Sequence, residues 1–124
     1  MTSMDQYLAE ARSSLDRIAA EDLEAVMAAG ALVVDIRPIE QRRRDGELEG
    51  AAVIQRNVLE WRLAPSSAAR EHDLDDSSRV VIVCDQGYQS SLAAATLQTL
   101  GLPGATDLIG GYQALMGGPY DPNG

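Results

Sequence analysis

The sequence contains a single cysteine, Cys84, and a single histidine, His72, among its 124 residues. One cysteine cannot form an internal disulfide bond, and it cannot supply the several thiolate ligands of a structural zinc site. His72 lies among acidic residues in the polar stretch 66–78, an environment typical of a solvated side chain, so we predict no metal site. The main question that the sequence poses is therefore what the lone thiol does.

Lysine is absent as well: all ten basic residues are arginine, and against 19 acidic residues they leave a net charge of -9. A chain this acidic repels phosphate backbones and anionic lipid surfaces, which argues against nucleic-acid and membrane partners. No run approaches the roughly 20 apolar residues of a membrane span, and residues 1–15 lack the pattern of a secretory signal. We therefore expect a cytoplasmic protein, in a reducing setting where a free thiol stays available.

The length and the 45% apolar composition are those of one globular domain. Ser3 is a suitable N-cap, and Met4, Tyr7 and Leu8 begin an apolar stripe at helical spacing, which predicts a helix over residues 3–13. We therefore divide the chain into an N-terminal helical extension (1–14), a main domain (15–118) and a flexible, Gly/Pro-rich tail (119–124).

Short apolar and β-branched runs alternate with helical segments along the main domain. Strands are predicted at 31–36, 50–54, 79–83 and 105–109, and helical segments at 20–29, 40–49, 58–63, 90–100 and 112–116. This alternation is typical of an α/β architecture with a mainly parallel sheet. Three successive arginines, residues 42–44, suit either an anion site or a solvated helix face, and we favour the solvated face because acidic residues surround them.

Cys84 directly follows the predicted strand 79–83, and open α/β sheets bind ligands beyond the carboxyl ends of their strands. Gly87 can adopt positive φ in the loop that follows, so backbone N–H groups can converge on the sulfur, and the next helix adds its positive end. Ser90 could add a hydroxyl donor. These features favour a nucleophilic thiolate, whereas the neighbouring Asp85 opposes it unless its carboxylate points away. The alternative is an inert buried cysteine that ends a core strand.

Four segments together resemble single-domain rhodanese-like sulfurtransferases. The run from Val80 to Ser91 is similar to their active-site loop, Cys-x-x-Gly-x-Arg-Ser. Three further segments match in order: Leu32-Val33-Val34-Asp35-Ile36-Arg37 with Glu40, then Gly46-Glu47-Leu48-Glu49-Gly50-Ala51, then Asp107-Leu108-Ile109-Gly110-Gly111-Tyr112. The resemblance covers about residues 16 to 118.

The resemblance implies a three-layer α/β fold, with a central, mainly parallel five-stranded sheet flanked by helices. It also implies that Cys84 takes a sulfane sulfur from a donor as a persulfide and passes it to a thiol or a cyanide-like acceptor. The donor would be a small molecule or a persulfidated protein, and no metal or organic cofactor is required. The substrate-binding loop would comprise Asp85, Gln86, Gly87, Tyr88, Gln89 and Ser90. Asp35 and Arg37 correspond to a mainly structural pair of the family.

Gln89 is the main departure from the family, because it replaces the loop arginine that would hold an anionic donor. With Asp85 also present, we predict weak use of thiosulfate and a preference for a persulfidated protein or an uncharged thiol donor. Arg56 is a possible anion contact that would restore some positive charge, or else a solvated surface arginine.

Two alternative functions must be compared with sulfur transfer. Phosphatases of this fold carry an arginine six residues after the cysteine, where this chain has Ser90, so phosphatase activity is not expected. A non-catalytic rhodanese-like domain could instead bind a partner or sense oxidants through Cys84.

Overall fold

The computed structural model describes all residues from 1 to 124. The helices are α1 (Met4–Arg12), α2 (Leu23–Ala28), α3 (Ile39–Asp45), α4 (Leu59–Leu63), α5 (Gln89–Thr99) and α6 (Gly111–Met116). The strands are β1 (Leu32–Asp35), β2 (Ala52–Val53), β3 (Val80–Val83) and β4 (Ala105–Asp107). Two 3₁₀ turns, Ala20–Asp22 and Arg56–Val58, lead into α2 and α4.

The four strands form one parallel sheet in the order β2-β1-β3-β4. Val80 pairs with Leu32 on one side and with Ala105 on the other, so β3 is a central strand. Parallel neighbours require crossover connections, and helices supply them. The α/β architecture with a parallel sheet flanked by helices is therefore confirmed.

The expected fifth strand is not formed. The only further pairing is an isolated parallel bridge between Ile18 and Leu108, at the β4 side of the sheet. The chain turns into the 3₁₀ helix at Ala20, two residues after Ile18, so the pairing cannot extend into a ladder. The prediction of five strands was wrong by this one element.

The side chains of β1 and β3 alternate between the two faces of the sheet and build a core on each. Val34 and Ile82 pack on one face with residues of α4 and α5, including Leu59 and Leu97. The other face buries Val33, Val81 and Val83 against residues such as Leu23 of α2. Burial of each large aliphatic side chain contributes about 1.5–3 kcal/mol, so the strand that carries Cys84 lies in the most strongly stabilised part of the molecule.

Helix α1 forms where the Ser3 cap predicted it. The Ser3 hydroxyl accepts from the Gln6 N–H at 3.1 Å, and the Gln6 side chain accepts from the Ser3 N–H at 3.0 Å, which completes a capping box. The helix packs against α5 and ends at Arg12. It buries no residue completely, and no helix in the molecule is long and apolar enough to cross a bilayer.

Candidate functional site

Cys84 stands at the carboxyl end of the central strand β3, with 8% of its surface exposed. Its Sγ accepts hydrogen bonds from the backbone N–H groups of Gly87, at 3.1 Å, and Ser90, at 3.4 Å. Ser90 lies in the first turn of α5, so the positive end of that helix also points toward the sulfur. Both contacts favour negative charge on the sulfur.

Gly87 gives the loop its shape because φ is +88° at this residue, a conformation that side chains disfavour. A Cβ at Gly87 would also collide with the backbone of Gly124 and lie 2.8 Å from the nitrogen of Gly110. Only glycine therefore fits at position 87, the residue whose backbone N–H donates to the sulfur.

Four further amides of the loop, those of Asp85, Gln86, Tyr88 and Gln89, donate to no acceptor within the protein. Backbone N–H groups left without a partner are unusual away from water or a ligand. The loop thus has donors to spare beyond the two that contact the resting sulfur.

A pocket of about 410 Å³ opens beside Cys84. Its lining residues are Ile36, Arg37, Pro38, Gln41, Arg56, Cys84, Asp85, Gln86, Tyr88 and Gln89. A larger cavity of about 660 Å³ is lined by residues such as Ala29, Leu32 and Arg79, at the amino ends of β1 and β3. The only cysteine lies outside that cavity, and its Ser77 hydroxyl is bound to the Asp75 carboxylate within an exposed turn, so the smaller pocket beside Cys84 is the candidate site.

Asp85 turns its carboxylate away from the sulfur. Oδ1 lies 3.2 Å from an Arg44 guanidinium nitrogen and accepts from the Gln113 side-chain amide at 2.9 Å. Arg44 also pairs with Asp45, and its hydrogen bond is the main reason that the pKa of Asp45 lies below its ordinary value. The arginine run of α3 therefore neutralises acidic residues at the edge of the site.

Arg56 reaches the pocket but is already engaged. Its Nε donates to Gln89 Oε1 at 3.0 Å, and its Nη1 pairs with Glu60 at 2.7 Å. Tyr88, 40% exposed at the rim, donates its hydroxyl to Asp121, which raises the pKa of the Tyr88 phenol. The pocket mouth thus carries one arginine whose charge is balanced by a carboxylate.

Sequence reasoning missed the groups behind the loop. Arg12 and Arg17 both donate to the carbonyl oxygen of Gly87, at 2.8 and 3.1 Å, and Arg17 also reaches the carbonyl oxygen of Gly124 at 3.0 Å. Burial, followed by repulsion from Arg17, lowers the pKa of the Arg12 guanidinium. Both arginines lie about 70 residues or more from the loop in sequence, so no local pattern identifies them.

Asp107 is a second buried group behind the loop, and the sequence presents it only as the first residue of the segment Asp107–Tyr112. The fully buried carboxylate accepts from Arg17 Nε at 2.9 Å, from the Ser90 hydroxyl at 2.7 Å and from the Ser91 hydroxyl at 2.8 Å. Its only sequence signal is an aspartate at the end of a buried strand.

Asp35 and Arg37 form a buried ion pair, which suits the structural role that the family resemblance implies. The two side chains are wholly buried and joined by a 2.8 Å ion pair. Arg37 also donates to the Gly46 carbonyl and lies 3.6 Å from the centroid of the Tyr112 ring. It therefore ties together three of the four matched segments behind the pocket.

The residues that the structure describes include no group of three or more His, Cys, Asp or Glu side chains arranged to hold a metal ion. The tail also contacts the site, because the Gly124 carbonyl oxygen accepts from the Gly110 N–H at 3.0 Å. The flexibility expected for residues 119–124 stays a prediction.

Several solved structures resemble this fold. A protein of unknown function from Rhodopseudomonas palustris CGA009, described as a possible tyrosine phosphatase, is 30% identical over 98% of this chain and 96% of its own, with a TM-score of 0.82. A rhodanese homolog from the extremely thermophilic bacterium Thermus thermophilus is 32% identical over 80% of this chain and 99% of its own, with a TM-score of 0.57. A human single-domain sulfurtransferase is 25% identical over 82% of this chain and 95% of its own, with a TM-score of 0.65.

No curated protein matches the chain. The family model of the rhodanese-like domain matches residues 19–117. This span begins just before the first 3₁₀ turn and ends just after α6, so it contains the whole sheet and the Cys84 loop. Since the match covers most of the chain and every element that builds the site, the protein belongs to the rhodanese-like domain family.

Proposed function

We propose that this protein is a sulfurtransferase that carries a sulfane sulfur as a persulfide on Cys84. The observation that carries the proposal is the loop itself: two amides donate to Sγ and four more are without acceptors beside an open pocket. Membership of a family that includes sulfurtransferases supports the same activity.

The chemistry proceeds in two displacements. The Cys84 thiolate attacks the sulfane sulfur of the donor, and the electron pair of the broken donor bond leaves with the departing group. The product is a Cys84 persulfide whose outer sulfur extends into the pocket. A nucleophilic acceptor, a thiolate or cyanide, then attacks that outer sulfur, and the Cys84 thiolate is restored as leaving group. Neither displacement requires a metal or an organic cofactor.

In this scheme the free loop amides stabilise the persulfide. The outer sulfur of a persulfide carries negative charge, and backbone donors aimed at such a charge stabilise it without reorganisation. Asp85, Gln86, Tyr88 and Gln89 all line the pocket beside Cys84, and in this proposal their free amides supply these donors.

The electrostatics of the mouth favour donors other than thiosulfate. The loop has no cationic side chain, Gln89 replaces the usual arginine, and the charge of Arg56 is balanced by Glu60. A dianion gains little from such a mouth, and the net charge of -9 repels it at longer range. We therefore propose a persulfidated protein or a small organic persulfide, whose sulfane group carries at most one negative charge, as the preferred donor.

The test is release of thiocyanate from cyanide, with thiosulfate and a small organic persulfide as alternative donors. Above the uncatalysed rate measured without protein, we expect turnover with the persulfide, slower turnover with thiosulfate, and none with either donor after Cys84→Ser. Because Cys84 is the only cysteine, mass spectrometry should find one added sulfur atom on the donor-treated wild type and none on the variant. Failure of every donor would refute the proposal.

The alternative is a rhodanese-like domain that binds a partner or senses oxidants without transferring sulfur. In that case Cys84 would oxidise to sulfenic acid with hydrogen peroxide and yet yield no thiocyanate. The same protein preparation can be assayed for both products, so the two functions are separated directly.

The description of the Rhodopseudomonas relative raises phosphatase activity, which this site does not favour. A cysteine phosphatase needs a guanidinium that holds the phosphoryl oxygens in two-point contact. The loop from Asp85 to Ser90 contains no arginine, and Ser90 is fully buried where that arginine would stand. We expect no hydrolysis of an aryl phosphate.

A further inference from the structure

We propose that Asp107 is a positioning residue for Cys84 and acts through the hydroxyl of Ser90. This inference rests on the proposed function, because it concerns how readily the Cys84 thiolate forms. Asp107 ends β4, the neighbour of the strand that presents Cys84, and its carboxylate is wholly buried. Nothing in the sulfur-transfer scheme above uses it.

The Ser90 hydroxyl has one hydrogen and two neighbours that could receive it. Asp107 Oδ2 lies 2.7 Å from Ser90 Oγ, whereas Cys84 Sγ lies 3.2 Å away. A carboxylate attracts a hydroxyl hydrogen much more strongly than a neutral thiol does. The hydrogen therefore points to Asp107, and the lone pairs of Ser90 face the sulfur.

The contacts of the Asp107 carboxylate are all with hydrogen-bond donors. Arg17 makes a two-point contact with it, Nε to Oδ1 at 2.9 Å and Nη2 to Oδ2 at 3.2 Å, and Ser91 donates a further hydrogen bond. A carboxylate is an acceptor only, so each of these contacts takes its hydrogen from the partner, and the Ser90 hydroxyl is the donor in its contact with Asp107.

The direction of this bond decides what Ser90 does for the sulfur. As an acceptor, Ser90 Oγ stabilises the thiol, whose S–H group donates to it. When Cys84 loses its proton to solvent, the thiolate meets oxygen lone pairs and retains only the amides of Gly87 and Ser90 as donors. Asp107 thus holds the resting cysteine toward the thiol form, in contrast to the hydroxyl donor expected for Ser90.

The other charges near Cys84 are paired with one another, with the exception of Arg12, whose guanidinium donates to Ser91 Oγ and to the carbonyl oxygens of Gly87 and Asn123. On the pocket side Arg37 is bound to Asp35, Arg56 to Glu60, and Asp85 to Arg44. Behind the loop, Arg12 and Arg17 both donate to the Gly87 carbonyl, and Arg17 balances Asp107. Ser90 Oγ is the side-chain atom that contacts the sulfur, so its hydrogen bond to Asp107 is the side-chain contact whose change should most affect thiolate formation.

The test follows the rate of alkylation by iodoacetamide against pH, in which the lone cysteine makes every alkylation event a report on Cys84. Asp107→Asn supplies an amide that can donate to Ser90 Oγ, which frees the hydroxyl hydrogen for the thiolate. We expect the pH midpoint of alkylation to fall by about one unit, the effect of one added hydrogen bond to a charged group.

Ser90→Ala supplies a second, independent readout. If Ser90 accepts from the thiol, its removal lowers the alkylation midpoint; if Ser90 instead donates to the thiolate, its removal raises it. A raised midpoint overturns the proposal, and this result does not depend on whether Asp107→Asn folds. Circular dichroism checks the fold of each variant.

The double variant separates positioning from simple charge removal. Action through Ser90 requires that Asp107→Asn shift the midpoint clearly less in the Ser90→Ala background than in the wild type. Equal shifts in the two backgrounds would mean that charge alone acts and would overturn the proposal. Alkylation needs no sulfur donor, so an absence of thiocyanate with these shifts intact would refute the sulfurtransferase function and leave the role of Asp107 standing.

Discussion

Replacement of Gly87 by alanine tests the loop geometry most directly. Two separate costs are expected. The first is the positive φ of +88°, which a Cβ disfavours by roughly 1–2 kcal/mol. The second is the collision of that Cβ with the backbone of Gly124 and Gly110. Forced insertion of an extra carbon into packed structure costs about 1–3 kcal/mol. The free energy of unfolding should therefore fall by about 2–5 kcal/mol.

Gly30 provides a matched control. It has a φ of +104°, similar to that of Gly87, but no atom lies within 4 Å of the position that its Cβ would occupy. Gly30→Ala should thus show only the conformational cost, about 1–2 kcal/mol. The difference between the two variants measures the close approach of the loop to Gly110 and Gly124.

The assay is urea unfolding followed by far-UV circular dichroism, since a single domain of this size is expected to unfold in one transition. Thiocyanate release is the second readout: Gly87→Ala displaces the N–H that contacts the sulfur and should lose activity, and Gly30→Ala should keep it. Equal stabilities of the two variants would refute the reasoning, because the loop would then relax around the added carbon without cost.

Two further predictions concern charge. Gln89→Arg should raise thiosulfate turnover relative to persulfide turnover, because it places a cation at the pocket mouth. The control is Gln89→Met, which also removes the hydrogen bond from Arg56 but adds no charge, and this variant should leave the ratio of the two turnover rates unchanged. The pKa of Asp45 is lowered, chiefly by its hydrogen bond from Arg44, so the folded protein binds this proton less readily than the unfolded chain. The stability that this contact contributes is therefore present above the ordinary value of 3.8 and is lost as the pH falls through the lower, folded value. Asp45→Asn should flatten the acid-side decline of Tm, whereas Asp76→Asn, in an exposed loop, should leave the decline as it is in the wild type.

The elements that lie within short stretches of chain could be predicted from the sequence. The β-branched run before Cys84 indicated a buried strand, and β3 is buried throughout. Ser3 indicated the start of α1, and the structure begins that helix at Met4. The residues after Cys84 indicated a loop followed by a helix that starts at Ser90. The structure starts this helix one residue earlier, at Gln89. The fifth strand was expected from the family resemblance alone, and it is reduced to one bridge at Ile18 because the chain turns into a 3₁₀ helix two residues later.

The sequence by itself determined the place of the lone cysteine and the local shape of the loop after it, because strand, cysteine, glycine and helix start follow one another within a dozen residues and rest on local backbone preferences. Only the tertiary structure decided the surroundings of the sulfur. Asp107 lies 16 residues from Ser91 in sequence and 90 residues from Arg17, and it contacts both. Arg12 contacts Ser91 over a separation of 79 residues, and Arg44 contacts Asp85 over 41 residues. Hydrogen bonds of this kind depend on which faces of distant elements pack together, and so the direction of the Ser90 hydroxyl, toward Asp107 and away from Cys84, is a property of the folded chain.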